Sequence, residues 1–123
     1  MGKRELIINF RRELMQAEHV LNTKYSFDLA EPYYRKCLSF VADSPEYQND
    51  FENELLNLYL GGLVSDEPVA YLMHILRRKN VKLAIEGIMF GDSSAIASGQ
   101  FHQNILSAYD DEWEHKIFYK FRD

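Results

Sequence analysis

The four histidines and the one cysteine are the residues best suited to metal or acid-base chemistry in this sequence. Glu112 and His115 form a Glu-x-x-His pair, the spacing that di-iron helix bundles use. Such a site needs a second pair and two further glutamates, and the sequence contains no second Glu-x-x-His. His74 lies among apolar residues and is interpreted as a core or boundary histidine. We therefore expect no metal and no cofactor.

Two further candidates for catalysis also have simpler interpretations. Gly-Asp-Ser-Ser at 91–94 is similar to the nucleophile block of some serine esterases. That block should follow a buried strand, whereas here it follows a predicted helix. It also needs an Asp-x-x-His near the end of the chain, and the nearest match, Asp-Glu-Trp-Glu-His, has the wrong spacing. Asp92 is better explained as a helix cap, and Cys37 as an inert buried thiol. Since no phosphate-binding glycine loop occurs either, we expect that the protein is not an enzyme.

Charge is distributed unevenly along the 123 residues, whose net charge is −5. Residues 1–36 contain seven bases and five acids, whereas residues 37–76 contain seven acids and neither lysine nor arginine. A negative balance argues against a nucleic-acid partner, because proteins that bind duplexes usually carry a basic surface. The seven central acids are Asp43, Glu46, Asp50, Glu52, Glu54, Asp66 and Glu67.

Cysteine usage and hydropathy indicate the compartment. A single cysteine allows no disulfide within the chain, which is typical of a reducing environment. No apolar run of about 18 residues is present, so we expect no membrane span. The first residues lack the apolar core of a signal peptide. A cytoplasmic location is the simplest expectation.

The hydrophobic spacing is helical almost throughout and shows no convincing strand. It predicts an all-α fold, a compact bundle of six to seven short helices in a single domain, 1–123. One face of the first helix is marked by Leu6, Phe10, Leu14, Ala17 and Leu21. The predicted helices cover approximately residues 3–22, 28–42, 44–60, 66–78, 81–90, 100–109 and 111–121.

Capping signals set several of these boundaries. Asp28 and Glu31 form a capping box with Pro32 in the first turn, and Ser44 caps the helix that Pro45 begins. Gly61-Gly62 should end that helix. Glu-Pro recurs after 36 residues, at 31–32 and 67–68, so HEAT-like paired helices stay open as an alternative arrangement.

The predicted helix 44–60 has an acidic side. On a helical projection, Glu46 and Asp50 lie opposite the apolar residues, and Glu54 flanks them. This side is either a solvated surface or a docking surface for a basic partner. The segment Tyr-Asp-Asp-Glu-Trp-Glu at 109–114 allows the same two interpretations, as an interface hot spot or as a capping box beside a core Trp113.

The segment SDEPVAYLMHILRRKNVKLAIEGIM, in an acidic, cysteine-poor helical chain, resembles bacterial immunity proteins. These are the partners of colicins and of contact-dependent growth inhibition toxins. The resemblance implies a basic, nuclease-type toxin domain that is bound and blocked in the cytoplasm. It carries no motif from which functional residues could be transferred.

On this interpretation the acidic residues bind the basic partner and three aromatic residues anchor the contact. The alternative is a helical adaptor or regulatory module with a non-toxin partner. A small-ligand or enzymatic domain is a third class, for which the sequence offers no set of catalytic or ligand-binding residues. The predicted partner-binding residues are Glu46, Asp50, Glu54, Asp66, Glu67, Tyr47, Tyr59 and Trp113.

Overall fold

The computed structural model describes residues 2–91 and 99–120, which form six α-helices and two short 3-10 helices. No strand occurs in this part of the chain, so the all-α prediction is confirmed. The 3-10 helices are Pro45–Tyr47 and Glu114–Phe118. The α-helices are α1 Lys3–Lys24, α2 Phe27–Asp43, α3 Gln48–Leu60, α4 Asp66–Leu76, α5 Lys79–Gly91 and α6 Gly99–Ser107.

The start of α2 differs from the prediction. Ser26 caps this helix, because its side chain accepts a hydrogen bond of 3.3 Å from the Leu29 N–H. The predicted capping box of Asp28 and Glu31 is therefore wrong, and Glu31 is instead a buried residue of the helix. Pro32 lies inside α2 and not in a first turn.

Left-handed residues end three of the helices, and α1 ends before Tyr25, which has a φ of 54°. α3 ends at Leu60 as predicted, and Gly62 follows with a φ of 78° that glycine adopts without strain. α4 ends at Leu76, two residues earlier than predicted, because Arg77 takes a left-handed conformation with a φ of 51°. The predicted loop at 91–100 lies mostly outside the described residues.

The predicted final helix over 111–121 is wrong. The described part of that range contains only the 3-10 helix Glu114–Phe118. Trp113 and Tyr119 flank it, and both are buried at 2% exposure. On an α-helix two residues six apart would lie about 240° from each other around the axis. The 3-10 helix and the turns that flank it place both side chains in the core.

The six helices share one hydrophobic core. α1 packs mainly on α2, whereas α4 packs mainly on α6 and also contacts α1, α2 and α3. The two Glu-Pro dipeptides lie in α2 and α4, so HEAT-like repeats would consist of α1 with α2 and of α3 with α4. The two pairs should then pack equally extensively. The contacts are not equivalent, so the helices form a bundle and not stacked HEAT-like pairs. The predicted face of α1 turns to the core: Leu21 is half-buried, and the buried residues are Leu6, Phe10, Leu14 and Ala17.

Three tyrosines meet inside this core. The Tyr71 ring lies 4.9 Å from the Tyr34 ring and 4.6 Å from the Tyr119 ring, measured between centroids. The Tyr71 hydroxyl donates to Glu31 Oε2 at 2.8 Å, and the Tyr119 hydroxyl donates to Glu67. The Tyr34 hydroxyl is buried and has no hydrogen-bond partner in the described part of the chain. The three hydroxyls therefore contribute differently to stability.

Replacing Tyr34 with phenylalanine should leave the free energy of unfolding unchanged or raise it by up to about 1 kcal/mol, because a buried hydroxyl without a partner carries only a desolvation penalty. Tyr71→Phe is the matched control and should lower stability by about 1–3 kcal/mol, since it removes a hydrogen bond to a buried carboxylate. Urea unfolding followed by circular dichroism measures both variants. Equal losses in the two variants would contradict the difference between the hydroxyls.

Candidate functional site: an acidic cleft beside α6

The acidic side of α3 is partly covered by basic residues of α1. Lys3 Nζ lies 3.6 Å from Asp50 Oδ1, and Arg11 Nε lies 3.1 Å from Glu54 Oε1. Exposed pairs of this kind contribute about 0–1 kcal/mol each. They nevertheless neutralise two of the acids on the predicted docking surface. Two of the seven bases in residues 1–36 thus pair with the acidic centre, whereas Arg35 and Lys36 pair with acids of the N-terminal part itself.

Glu52, another central acid, has a structural position. It is 3% exposed, and its Oε1 accepts from Arg78 Nε at 3.2 Å. Its Oε2 accepts from the Val81 N–H at 2.6 Å, in the first turn of α5. Gln48 and Asn49 of α3 accept two further hydrogen bonds from the same guanidinium. Glu52 therefore joins α3 to the start of α5.

Two of the predicted partner-binding residues are buried and bonded within the protein. Glu67 is 5% exposed and accepts from His115 Nδ1 at 2.7 Å, from Asn104 Nδ2 at 3.0 Å and from the Tyr119 hydroxyl. The Trp113 indole N–H donates to Asn104 Oδ1 at 2.9 Å. The expectation that Glu67 and Trp113 contact a partner through exposed side chains is therefore corrected: both belong to the interior.

The other predicted residues are spread over the surface. Glu46 is exposed, whereas Tyr47 is half-buried in the first 3-10 helix. Tyr59 is half-buried, and its hydroxyl lies 2.6 Å from His102 Nδ1. Asp66 is partly exposed and accepts from Asn104 Nδ2 at 2.8 Å. Asp66 lines the cleft described next, and Asp66 and Glu67 together line a separate cleft of about 370 Å³ beside the end of α1.

The larger of these clefts has a volume of about 690 Å³ and runs along α6. The first turn of α4 closes one end, and the turn after α6 together with the second 3-10 helix forms the opposite wall. We call it the α6 cleft. Its lining residues are Asp66, Gln100, Phe101, Gln103, Asn104, Leu106, Ser107, Asp110, Glu112, Trp113, Glu114 and His115.

The lining of the α6 cleft is acidic. Asp66, Asp110, Glu112 and Glu114 contribute four carboxylates, and no lysine or arginine is among the described lining residues. Asp110 Oδ1 accepts from the Glu112 N–H at 3.0 Å, which orders the turn. The last three of these acids are exposed and form no ion pair within the described part of the chain. The cleft therefore keeps its negative charge.

Internal bonds hold the turn that carries these acids. His74 Nδ1 donates to the Ala108 carbonyl at 2.7 Å, which confirms His74 as a boundary histidine. Arg77 forms an ion pair with Asp111, outside the cleft. The hydrogen bond from Arg77, followed by its charge, lowers the pKa of the Asp111 carboxyl below its usual value. Arg77 thus pairs with an acid that does not line the α6 cleft.

Two tyrosines whose hydroxyls lie outside the α6 cleft, Tyr59 and Tyr119, have raised pKa values. Burial raises the pKa of Tyr119, with a further contribution from the charge of Glu67. Burial also raises the pKa of Tyr59, and the charge of Asp66 adds to it. These groups stay protonated at neutral pH and act as hydrogen-bond donors or acceptors without charge. They suit binding better than proton abstraction.

The described residues contain no group of three or more His, Cys, Asp and Glu that could hold a metal ion. His115 contacts Glu67 and not Glu112, its partner in the Glu-x-x-His spacing. Among the described helices, none is long and apolar enough to cross a membrane. No family model, curated protein or solved structure matches this chain. The geometry therefore carries the functional argument.

Sequence reasoning found only part of this site. Residues 109–114 were identified as a second acidic group, and Asp66 was among the predicted contacts. The α6 residues were missed, because Gln100, Phe101 and Asn104 stand out neither by charge nor by motif. The only available signal was the proximity of the acidic group to a helix rich in amides.

Proposed function

We propose that the protein binds a basic segment of another protein in the α6 cleft and occludes it. The observation that carries this proposal is the cleft itself, with four carboxylates and no lysine or arginine among its described lining residues. In physiological terms, we propose a cytoplasmic immunity protein whose partner is a basic, nuclease-type toxin domain. The acidic surface is thus assigned to the α6 cleft and no longer to α3.

The physical basis is electrostatic complementarity. Carboxylates gathered in a concave surface concentrate the negative potential, which attracts a basic partner and raises its association rate. The volume of about 690 Å³ lies in the range of pockets that enclose a ligand. Phe101 and Leu106 add apolar surface between the charges. A segment that alternates basic and apolar side chains would match this lining.

The first prediction concerns the charge of the cleft. Glu112→Gln together with Glu114→Gln should weaken binding of a fluorescein-labelled lysine-glycine decapeptide by about three- to tenfold, since each exposed pair contributes up to about 1 kcal/mol. The affinity of this double variant should also depend less on the salt concentration. Fluorescence anisotropy measures the affinity, and the emission of Trp113, the only tryptophan, reports on the cleft.

Asp43→Asn with Glu46→Gln is the matched control. It removes the same charge from two exposed acids outside the cleft and should change the affinity by less than about twofold. Equal losses of affinity in both double variants would show that the net charge of the protein, and not the position of the acids, determines binding. That result would contradict the assignment of the cleft. No measurable binding in any form would overturn the proposed function.

The toxin assignment has a separate test. Co-expression with the carboxyl-terminal domain of a large secreted toxin, encoded immediately upstream of this gene, should protect bacterial cells from that domain. The E112Q/E114Q variant should protect less. A gene neighbourhood without such a toxin would favour the alternative, a helical adaptor that uses the same cleft for a non-toxin partner.

A further inference from the structure

Another smaller cleft lies between α3 and α6 and opens beside the α6 cleft. Its volume is about 380 Å³, and it is lined by one end of α3, the loop before α4 and the start of α6. We call it the α3–α6 notch. Asp66 and Phe101 line both the notch and the α6 cleft, so they stand at the boundary between the two.

A hydrogen bond orients the carboxylate of Asp66 and leaves one of its oxygen atoms available. Its Oδ2 accepts from Asn104 Nδ2 at 2.8 Å, whereas its Oδ1 has no partner in the described part of the chain. Asn104 is itself held, because its Oδ1 accepts from Trp113 Nε1. A carboxylate fixed by a bonded amide is preorganised to accept further hydrogen bonds from a cation.

The ring of Phe101 supplies a second kind of contact. Phe101 is 49% exposed, although it lies at the start of α6, which packs on α4 and α5. An exposed aromatic face beside a carboxylate favours a planar cation, which can stack on the ring and bind the carboxylate at the same time. A guanidinium group can stack on the ring and bind the carboxylate with two parallel N–H groups, whereas an ammonium group forms a cation–π contact but neither the planar stack nor the bidentate pair.

The interior of the notch is mostly apolar. Leu60 and Val64 line it, and the hydroxyl of Tyr59 is already bonded to His102. The charge of Asp66 contributes to the raised pKa of Tyr59, so its field extends into the notch. A long aliphatic stem with a terminal cation fits such a space, because the stem packs on apolar surface while the head meets the carboxylate.

We propose that the α3–α6 notch accepts an arginine side chain of the partner, with its guanidinium bound to Asp66 and stacked on Phe101. This inference rests on the proposed function and specifies it: the α6 cleft attracts a basic segment, and the notch selects arginine over lysine within it. The bidentate fork of a guanidinium matches a carboxylate, which a single ammonium does not.

The test uses the full chain, labelled with ¹⁵N, and two small probes, N-acetylarginine amide and N-acetyllysine amide. In ¹H–¹⁵N correlation spectra, the arginine probe should shift the amide signals of Ser65, Asp66 and His102 in a saturable way. The lysine probe should bind about fivefold or more weakly, because it lacks the stacking and bidentate contacts. Equal affinities of the two probes would overturn the proposal.

Two variants localise the effect. Asp66→Asn and Phe101→Leu should each remove most of the preference for arginine, with thermal unfolding showing that the fold is kept. Glu114→Gln removes a cleft charge outside the notch and should leave the preference unchanged. A preference that survives both notch variants would overturn the proposal.

The lysine-glycine decapeptide separates this inference from the proposed function. If the decapeptide binds and responds to E112Q/E114Q while the small probes show no preference, the notch assignment fails and the proposed function stands. If arginine is preferred at the notch but the decapeptide does not bind, the notch is confirmed as an arginine subsite, and the proposed binding of a basic segment in the α6 cleft fails.

Discussion

Replacing Glu67 with alanine should lower the free energy of unfolding by about 3–5 kcal/mol, the combined cost of the hydrogen bonds that are lost and of the cavity that forms. The carboxylate is 5% exposed and accepts hydrogen bonds from His115, Asn104 and Tyr119. Alanine would leave three polar groups without their acceptor and would open a cavity among them. Guanidinium chloride unfolding, followed by circular dichroism, measures the loss.

Glu67→Gln is the control for shape. It keeps the volume and one carbonyl oxygen, so it should cost less than alanine, about 1–3 kcal/mol. Because Tyr119 and His115 lie in the carboxyl-terminal segment, both variants should also increase hydrogen exchange there. A loss below about 1 kcal/mol for the alanine variant would show that the buried carboxylate does not hold this segment.

The second large effect is expected at Glu52. Glu52→Ala should lower the free energy of unfolding by about 2–4 kcal/mol, because it removes an acceptor from Arg78 and leaves the buried Val81 N–H unbonded. Gln48 and Asn49 still hold the guanidinium, which keeps the loss below that at Glu67. Urea unfolding measures stability, and hydrogen exchange at the Val81 amide reports on the start of α5.

Glu54→Ala is the matched control on the same helix. Glu54 pairs with Arg11, whose side chain is 55% exposed, and its loss should cost less than about 1 kcal/mol. The two glutamates are separated by one residue and differ mainly in burial. Similar losses at both positions would contradict the assignment of Glu52 as the residue that joins α3 to α5.

These contrasts explain why the acidic centre of the chain was difficult to interpret. A run of seven acids without a base suggested a surface that an external partner neutralises. In the folded protein, Asp50 and Glu54 lie beside bases of α1, Glu52 binds Arg78, and Glu67 is bonded in the interior. Pairing between helices depends on their packing, which charge counts along the chain do not contain.

The acids that remain available come from a different place. Asp110, Glu112 and Glu114 follow α6 and face the cleft with Asp66. The sequence identified this group as acidic and aromatic, but left its interpretation open between a hot spot and a cap beside a core tryptophan. Trp113 is buried, as the second interpretation required, while its acidic neighbours are exposed. The core position of Trp113 is therefore confirmed, the predicted capping box is wrong because none of the described side chains caps the 3-10 helix that follows, and the interface hot spot stays a prediction.

Local signals predicted most of the helical architecture, although not the start of α2 or the 3-10 helix after α6. Apolar residues spaced by three and four predicted the buried face of α1, and Gly61-Gly62 predicted the end of α3, because both depend on backbone geometry within a few residues. Packing between distant elements decided the rest. Asp66 and Glu67 are neighbours of the same charge, yet one borders the α6 cleft and the other binds Tyr119, 52 residues away. Burial of a carboxylate depends on which donors the fold brings to it, and that information exists only in three dimensions.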